Sequence, residues 1–178
     1  EAERATAAKL DAAERAAISD YLAGGGQLLL SGTELAWTLD NIFADELGSF
    51  YQSTFGAGYL ADDAETYDLV GAGQWAGLGA LRFDDQGPGG YDADFPDVLA
   101  ASADASVVLE YAGGAGGAAA IHAPSLGVIT LGFPFETVSG DVARDRLMAQ
   151  ILTSLEVEPD VESLSLIHIS EPTRRVFI

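Results

Sequence analysis

Cysteine is absent from this chain of 178 residues, which excludes disulfides, thiolate metal sites and a cysteine nucleophile. Basic residues are scarce: eight lysines and arginines stand against 28 aspartates and glutamates, and the formal net charge is −20. A surface of this sign repels phosphate groups. We therefore expect neither nucleic acid nor an anionic membrane as a partner.

Long apolar runs are also lacking. From Glu1 onward we find no leader with a charged and then an apolar region, and no run long enough to cross a bilayer. A leader upstream of Glu1 is left open. Hydrophobic residues make up 48% of the chain, which favours one folded domain, and we place it at residues 1–160.

The end of the sequence has a different origin in our interpretation. Residues 164–174 (LSLIHISEPTR) resemble one translated reading frame of a transposase-type adapter used to prepare DNA for sequencing. Such scars are excluded before the fold is considered, so we treat residues 161–178 as an artefactual, disordered tail. The alternative is a natural strand, because Leu166, Ile167 and Ile169 favour extended backbone.

Helical periodicity marks three segments. The first covers residues 11–22, with Asp11 as N-cap and Glu14 completing a capping box, and a triple glycine ends it. The second covers 41–55 and the third 141–155. In the third helix Ser139 is the expected N-cap, and the residues expected to face inward are Val142, Leu147, Met148, Ile151, Leu152 and Leu155.

Short apolar runs between glycine-rich turns predict strands. The two clearest are 27–31 and 126–133, whose continuous apolar character indicates burial on both faces. The other predicted strands lie at 67–71, 80–84, 106–111 and 118–123.

Two of these regions resemble a known family. Residues 10–37 (LDAAERAAISDYLAGGGQLLLSGTELAW) and 127–138 (GVITLGFPFETV), followed by an arginine-containing helix, resemble class I glutamine-amidotransferase-like domains. The nearest likeness is to the non-catalytic versions in large secreted bacterial proteins, and ThuA-like domains are more distant. The resemblance implies an α/β fold, a flavodoxin-like three-layer sandwich. Its mostly parallel sheet would carry an inserted region of short strands and lack its N-terminal strand and helix.

The resemblance also implies a function without catalysis. Active members use a cysteine on a nucleophile elbow and a later His-x-Glu pair. Here Gly32 and Thr33 stand at the elbow, and Pro134 replaces the histidine before Glu136. Glutamine hydrolysis is therefore not expected. The implied role is an accessory domain, extracellular or at the cell surface. Its partners would be other domains of the same polypeptide, and carbohydrate or peptide.

One candidate site follows from the strand order. Glu34 follows the first buried strand and Glu136 the last, with Trp37 and Phe135 nearby. If the two strands are neighbours, these residues meet at the carboxyl edge of the sheet, where open α/β sheets bind ligands. The carboxylates would then bind a ligand or act as acid and base in a hydrolase. The structural alternative is that each serves only its own loop or helix start.

Other polar groups give weaker candidates. Asp62 and Asp63 are the metal candidates, with calcium as the ion that oxygen ligands favour, and further acids of this group are Asp84, Asp85, Asp92 and Asp94. Beyond this calcium candidate no cofactor is expected. Ser31 and Thr33 lack the G-x-S-x-G setting of a serine hydrolase. His122 is expected on an alternating strand. Two arginines, Arg144 and Arg146, are expected to serve the last helix.

Overall fold

A computed structural model describes residues 9–84 and 91–156, together with the backbone of Ser165–His168. Three α-helices are present in these parts of the chain: α1 (Ala12–Ala23), α2 (Ser49–Phe55) and α3 (Asp141–Ser154). Nine strands form one sheet. They are β1 (Leu28–Ser31), β2 (Ala57–Ala61), β3 (Asp68–Gly71), β4 (Ala80–Arg82), β5 (Val98–Ala101), β6 (Ser106–Tyr111), β7 (Ala118–Ala123), β8 (Val128–Leu131) and β9 (Ser165–His168).

The sheet is mixed and mostly antiparallel, and it curves into a half-barrel. Its main order is β4-β3-β6-β7-β8-β1-β9, with β5 pairing to both β2 and β7. Among the strands described, only the β8–β1 and β1–β9 pairs are parallel. The predicted flavodoxin-like sandwich with a mostly parallel sheet is therefore wrong. Neighbouring strands such as β6 and β7 are joined by a short glycine-rich turn, and a turn of that length permits only antiparallel pairing.

The start of the chain follows its sequence pattern closely. The carboxylate of Asp11 accepts hydrogen bonds from the backbone N–H groups of Ala13 and Glu14, while Glu14 accepts one from the Asp11 N–H. The predicted capping box is confirmed. At the other end of α1, Gly25 has a φ of 88°, a conformation that glycine adopts without a steric penalty.

The second helical region starts earlier than predicted. The chain turns helical at Leu35 and passes through two π-helical segments, Trp37–Ile42 and Ala44–Gly48, before α2. Apolar residues at 35, 36, 39, 42 and 43 recur at helical spacing. The predicted helix at 41–55 includes the second π-helical segment and α2 but omits residues 35–40.

The last helix is placed as predicted, but two of its details are wrong. Gly140, not Ser139, is the N-cap of α3, and no side chain caps its first turn. Val142 was expected to face inward and is 81% exposed, whereas Leu147 and Ile151 are buried. Val142 lies in the first turn, where the neighbouring Ala143 packs against the core instead.

The core lies on both faces of the sheet. Leu28 and Leu30 pack with α1, α2 and the π-helical region, while Leu29 packs on the opposite face with α3. This arrangement confirms that β1 is buried on both faces. On the α3 side the rings of Phe83 and Phe133 stack with centroids 4.7 Å apart.

Beyond residue 156 the structure describes only the backbone of β9, which runs parallel to β1 from Leu28 opposite Ser165 to Ser31 opposite His168. The rest of the predicted tail, residues 161–178, lies outside the described residues, and its adapter origin stays a prediction. Among the helices described, none is long and apolar enough to cross a membrane.

Candidate functional site

The parallel pair β1 and β8 places two loops at one edge of the sheet. The strands run in register from Leu28 opposite Val128 to Ser31 opposite Leu131. The last residue of β1 with the segment after it, residues 31–37, and the segment after β8, residues 132–137, therefore lie at the same carboxyl edge. We call these two segments the rim. The condition on which the candidate site depended, that the two buried strands are neighbours, is confirmed.

Ser31 connects the two halves of the rim. Its buried hydroxyl accepts a hydrogen bond from the backbone N–H of Phe135 at 2.7 Å and donates one to the carbonyl of Phe133 at 3.3 Å. The hydroxyl thus satisfies backbone groups of a loop that does not belong to its own strand. Its role is structural, which agrees with the lack of a serine-hydrolase motif around Ser31 and Thr33.

Glu136 lies in a single 3-10 turn, Phe135–Thr137, on the β8 side of the rim. The hydroxyl of Thr137 closes this turn by donating to the carbonyl of Pro134 at 2.7 Å. Glu136 is half-buried and accepts a hydrogen bond from the hydroxyl of Tyr91 at 2.8 Å. This carboxylate therefore joins the rim to the segment that leads into β5.

Glu34 lies on the β1 side in a strained backbone conformation. Its φ is 57°, a left-handed value that costs a residue other than glycine about 1–3 kcal/mol. Its carbonyl accepts the N–H of Thr38 in the first helical turn. Glu34 thus makes the turn between the end of β1 and the helical region. Trp37, half-buried, begins the π-helical region three residues later.

Asp97 is the principal residue of this region that the sequence did not indicate. It is fully buried, and its Oδ2 accepts the backbone N–H of Ala36 at 2.8 Å. A second hydrogen bond comes from the N–H of Trp37. The backbone of Asp97 donates to the carbonyl of Gly132 at 2.9 Å. The residue therefore contacts both halves of the rim from beneath.

The protonation of Asp97 is strongly perturbed. Burial raises the pKa of its carboxyl well above 3.8, the hydrogen bonds from Ala36 and Trp37 oppose this shift, and the charges of Asp62 and Glu34 add to it. Burial also raises the pKa of Asp62. A buried acid whose nearby charges are both negative favours its neutral form.

Three tyrosines surround Asp97. The hydroxyl of Tyr111 donates to the carbonyl of Asp97 at 3.0 Å. Burial raises the pKa of Tyr51, Tyr59 and Tyr111, and in each case the Asp97 charge adds to the rise. The hydroxyl of Tyr51 and the Oδ1 of Asp97 are both buried and have no hydrogen-bond partner in the part of the chain that the structure describes. The carboxyl of Asp97 therefore lies in buried surroundings with few polar atoms.

Four acids of the predicted cluster act on the same side chain: burial raises the pKa of Tyr67, and the charges of Asp84, Asp92, Asp94 and Asp63 add to the rise. Asp63 accepts the N–H of Glu65 in its own turn, and Asp84 is buried and accepts the N–H of Ala93. Asp92 and Asp94 are exposed, and Asp85 lies outside the described residues. Within the described parts of the chain, no three acidic or histidine side chains are arranged to hold a metal ion. Calcium stays an untested expectation.

His122 and the arginines have structural surroundings. All six residues of β7 are buried, so the expectation of an alternating strand around His122 is wrong. The imidazole bonds through Nδ1 to the side-chain amide of Gln74, and burial lowers its pKa. As expected, Arg144 serves the last helix: it pairs with Asp141 and donates to the carbonyl of Val138 at 2.8 Å. Arg146 donates to the carbonyl of Ala80 at 3.4 Å.

Comparison with known proteins adds no assignment: no protein-family model and no curated protein matches this chain. The site therefore rests on its geometry. That geometry unites the loops bearing Glu34 and Glu136 at one edge and adds Asp97 beneath them. Whether Glu34, Trp37, Phe135 and Glu136 bind one ligand stays a prediction.

Proposed function

We propose that this chain is a non-catalytic accessory domain of a multidomain secreted bacterial protein, and that it binds a carbohydrate or peptide ligand at the rim. The observation that supports this proposal best is the Ser31 bridge. It fixes the loop after β8 to the end of β1 through backbone hydrogen bonds. A rim fixed in this way offers a preorganised surface for binding.

The chemistry at the rim favours binding over covalent catalysis. Acyl transfer needs a nucleophile, a base within hydrogen-bond reach and a group that orients the base. Thr33 and Pro134 stand where the resemblance to amidotransferase-like domains requires cysteine and histidine. His122 lies in the middle of the sheet and bonds to Gln74.

Aromatic and acidic side chains suit the proposed ligands. Trp37, Phe135 and Tyr91 are half-buried, so each presents part of a ring while the rest is packed. Aromatic faces bind the apolar faces of sugars and the side chains of peptides, and carboxylates accept hydrogen bonds from hydroxyl and amide groups. Glu34 and Glu136 would supply the accepting groups.

A hydrolase that uses Glu34 and Glu136 as acid and base is the second candidate. It is favoured by the parallel pairing of β1 and β8, which sends both carboxylate-bearing loops to one edge. Against it stands the hydrogen bond from Tyr91 to Glu136, which occupies one carboxylate oxygen with a protein group. If this chain is an accessory domain, other domains of the same polypeptide carry out the hydrolysis of cell wall, polysaccharide or peptide.

Co-sedimentation with insoluble peptidoglycan and insoluble polysaccharides tests the binding proposal. We expect the wild-type chain to sediment with at least one of them, and Trp37→Ala to lose most of this retention. Val142→Ala is the matched control, because Val142 is 81% exposed and lies on α3. Binding of these polymers at the rim would be contradicted if wild type and Trp37→Ala sediment with a polymer to the same extent. It would also be contradicted if the wild-type chain sediments with none of them. Titration with soluble peptides extends the same test to the peptide ligand.

A further inference from the structure

Asp97 joins three separate elements from a position with no exposed surface. Its side chain accepts the N–H of Ala36 at 2.8 Å in the first helical turn after β1. Its backbone donates to Gly132 at 2.9 Å after β8, and its carbonyl accepts the hydroxyl of Tyr111 from β6 at 3.0 Å. Of these contacts, only those made by the carboxyl group depend on its protonation. Of the groups of Asp97, only the carboxyl contacts the β1 half of the rim, where Leu35 and Ala36 are also packed in the core.

The surroundings of this carboxyl are unfavourable for a charge. Both charged groups that act on it, Glu34 from the rim and Asp62 from the turn after β2, are acids. The neighbouring elements contribute neutral tyrosines: Tyr51 from α2, Tyr59 from β2 and Tyr111 from β6. Asp40 and Asp63 act in turn on Tyr51 and Tyr111, and both are acids. An ionised Asp97 is stabilised mainly by two amide donors.

Strain and unsatisfied polar atoms lie in the same place. Among the described residues, the Oδ1 of Asp97 and the hydroxyl of Tyr51 find no hydrogen-bond partner although both are buried, and each such atom favours a conformation that admits water. Glu34 holds a φ of 57° at the start of the attached segment. Detaching residues 34–37 would relieve this backbone strain and hydrate the carboxylate together.

We propose that Asp97 is a proton-operated latch: its neutral form holds residues 34–37 against the sheet, and its ionisation releases them. In the neutral form the carbonyl oxygen of the acid still accepts the N–H groups of Ala36 and Trp37. In the ionised form the carboxylate requires water, and the segment that covers it moves. The raised pKa of Asp97 agrees with this direction. The latch would change the position of Glu34 and Trp37 with pH.

Hydrogen exchange at the amides of Ala36 and Trp37 measures the latch directly. After correction for intrinsic exchange, we expect the protection of both amides to fall as the pH rises in the wild-type chain. The side chain of Asp97→Asn cannot ionise. In this variant the amides of Ala36 and Trp37 should stay protected at every pH. Asp104→Asn is the matched control, because Asp104 is exposed in the turn between β5 and β6, and it should behave like the wild type.

A second variant keeps the proposal testable if Asp97→Asn does not fold. The Glu34 charge helps to raise the pKa of Asp97. Glu34→Gln removes this charge, so the amides of Ala36 and Trp37 should lose their protection at a lower pH than in the wild type. The latch would be overturned by protection that does not vary with pH in the wild type. It would also be overturned by an unchanged transition in a folded Asp97→Asn, or in Glu34→Gln. These readouts do not depend on any ligand, so they are independent of the proposed binding function.

Discussion

The hydroxyl of Ser31 accepts a hydrogen bond from the backbone N–H of Phe135 at 2.7 Å, although the two residues are 104 positions apart. The same hydroxyl donates to the carbonyl of Phe133. A single side chain therefore satisfies a buried backbone acceptor and a partly buried backbone donor of the loop after β8. This contact attaches the loop that bears Glu136 to the end of β1.

Ser31→Ala should destabilise the domain. The change leaves the N–H of Phe135 and the carbonyl of Phe133 without this partner, and an unsatisfied buried polar group costs about 1–3 kcal/mol. Urea unfolding should show the loss in the free energy of unfolding. Ser53→Ala is the control, because Ser53 is exposed and its hydroxyl makes only a 3.4 Å bond within α2. Equal stability of Ser31→Ala and wild type would refute a structural role for the bridge.

Asp97→Asn should flatten the pH dependence of stability. The folded-state pKa of Asp97 is raised above its ordinary 3.8 because the group is buried, so the folded form binds this proton more tightly than the unfolded form. The contribution of Asp97 is therefore fully present below pH 3.8 and is lost as the pH rises through the raised folded-state pKa. Urea unfolding at a series of pH values should show that the free energy of unfolding of the wild type falls as the pH rises through this window. The fall should be smaller in Asp97→Asn. Parallel declines would contradict this assignment.

Phe133→Ala should be among the most destabilising substitutions in the chain. Phe133 has no exposed surface and stacks on Phe83 at 4.7 Å, and removing such a ring from a core costs about 3–5 kcal/mol. Phe95→Ala, at a ring that is 42% exposed, is the control and should cost much less. Thermal unfolding monitored by circular dichroism distinguishes the two, and similar melting temperatures for both variants would show that Phe133 is not a core residue.

Asp11→Ala should weaken α1 by removing its cap. The Asp11 carboxylate accepts two backbone N–H groups, and loss of an N-cap side chain costs about 0.5–2 kcal/mol. Asp20→Ala removes an exposed carboxylate of the same helix that caps nothing. The midpoints of urea unfolding of Asp11→Ala and Asp20→Ala measure the two losses of stability. A larger loss in Asp20→Ala than in Asp11→Ala would show that charge, not capping, determines the effect.

Local signals explain which elements could be predicted from the sequence. The cap of α1, the buried strands β1 and β8 and the range of α3 each follow from residues adjacent in sequence. Strands β2 (AGYLA) and β5 (VLAA) were missed because alanine and glycine have low strand propensity. They form strands only because each finds a partner in the sheet.

The topology and Asp97 depend on contacts between distant residues. Burial of β1 and β8 on both faces predicted a parallel sheet, yet β6, β7 and β8 pair antiparallel through short turns. Asp97 reaches Ala36 across 61 positions, and in the sequence it is one acid beside a proline and an apolar run. No local pattern distinguishes it from a surface aspartate.

The measurement that tests the central claim most directly is a product assay on the purified chain with peptidoglycan, polysaccharides and peptides, run beside retention on the same material. We predict that the chain is retained and releases no soluble product, and that Glu34→Gln and Glu136→Gln alter retention only. Product release by the wild type that is abolished in Glu34→Gln or Glu136→Gln would contradict the accessory role and establish a hydrolase at the rim.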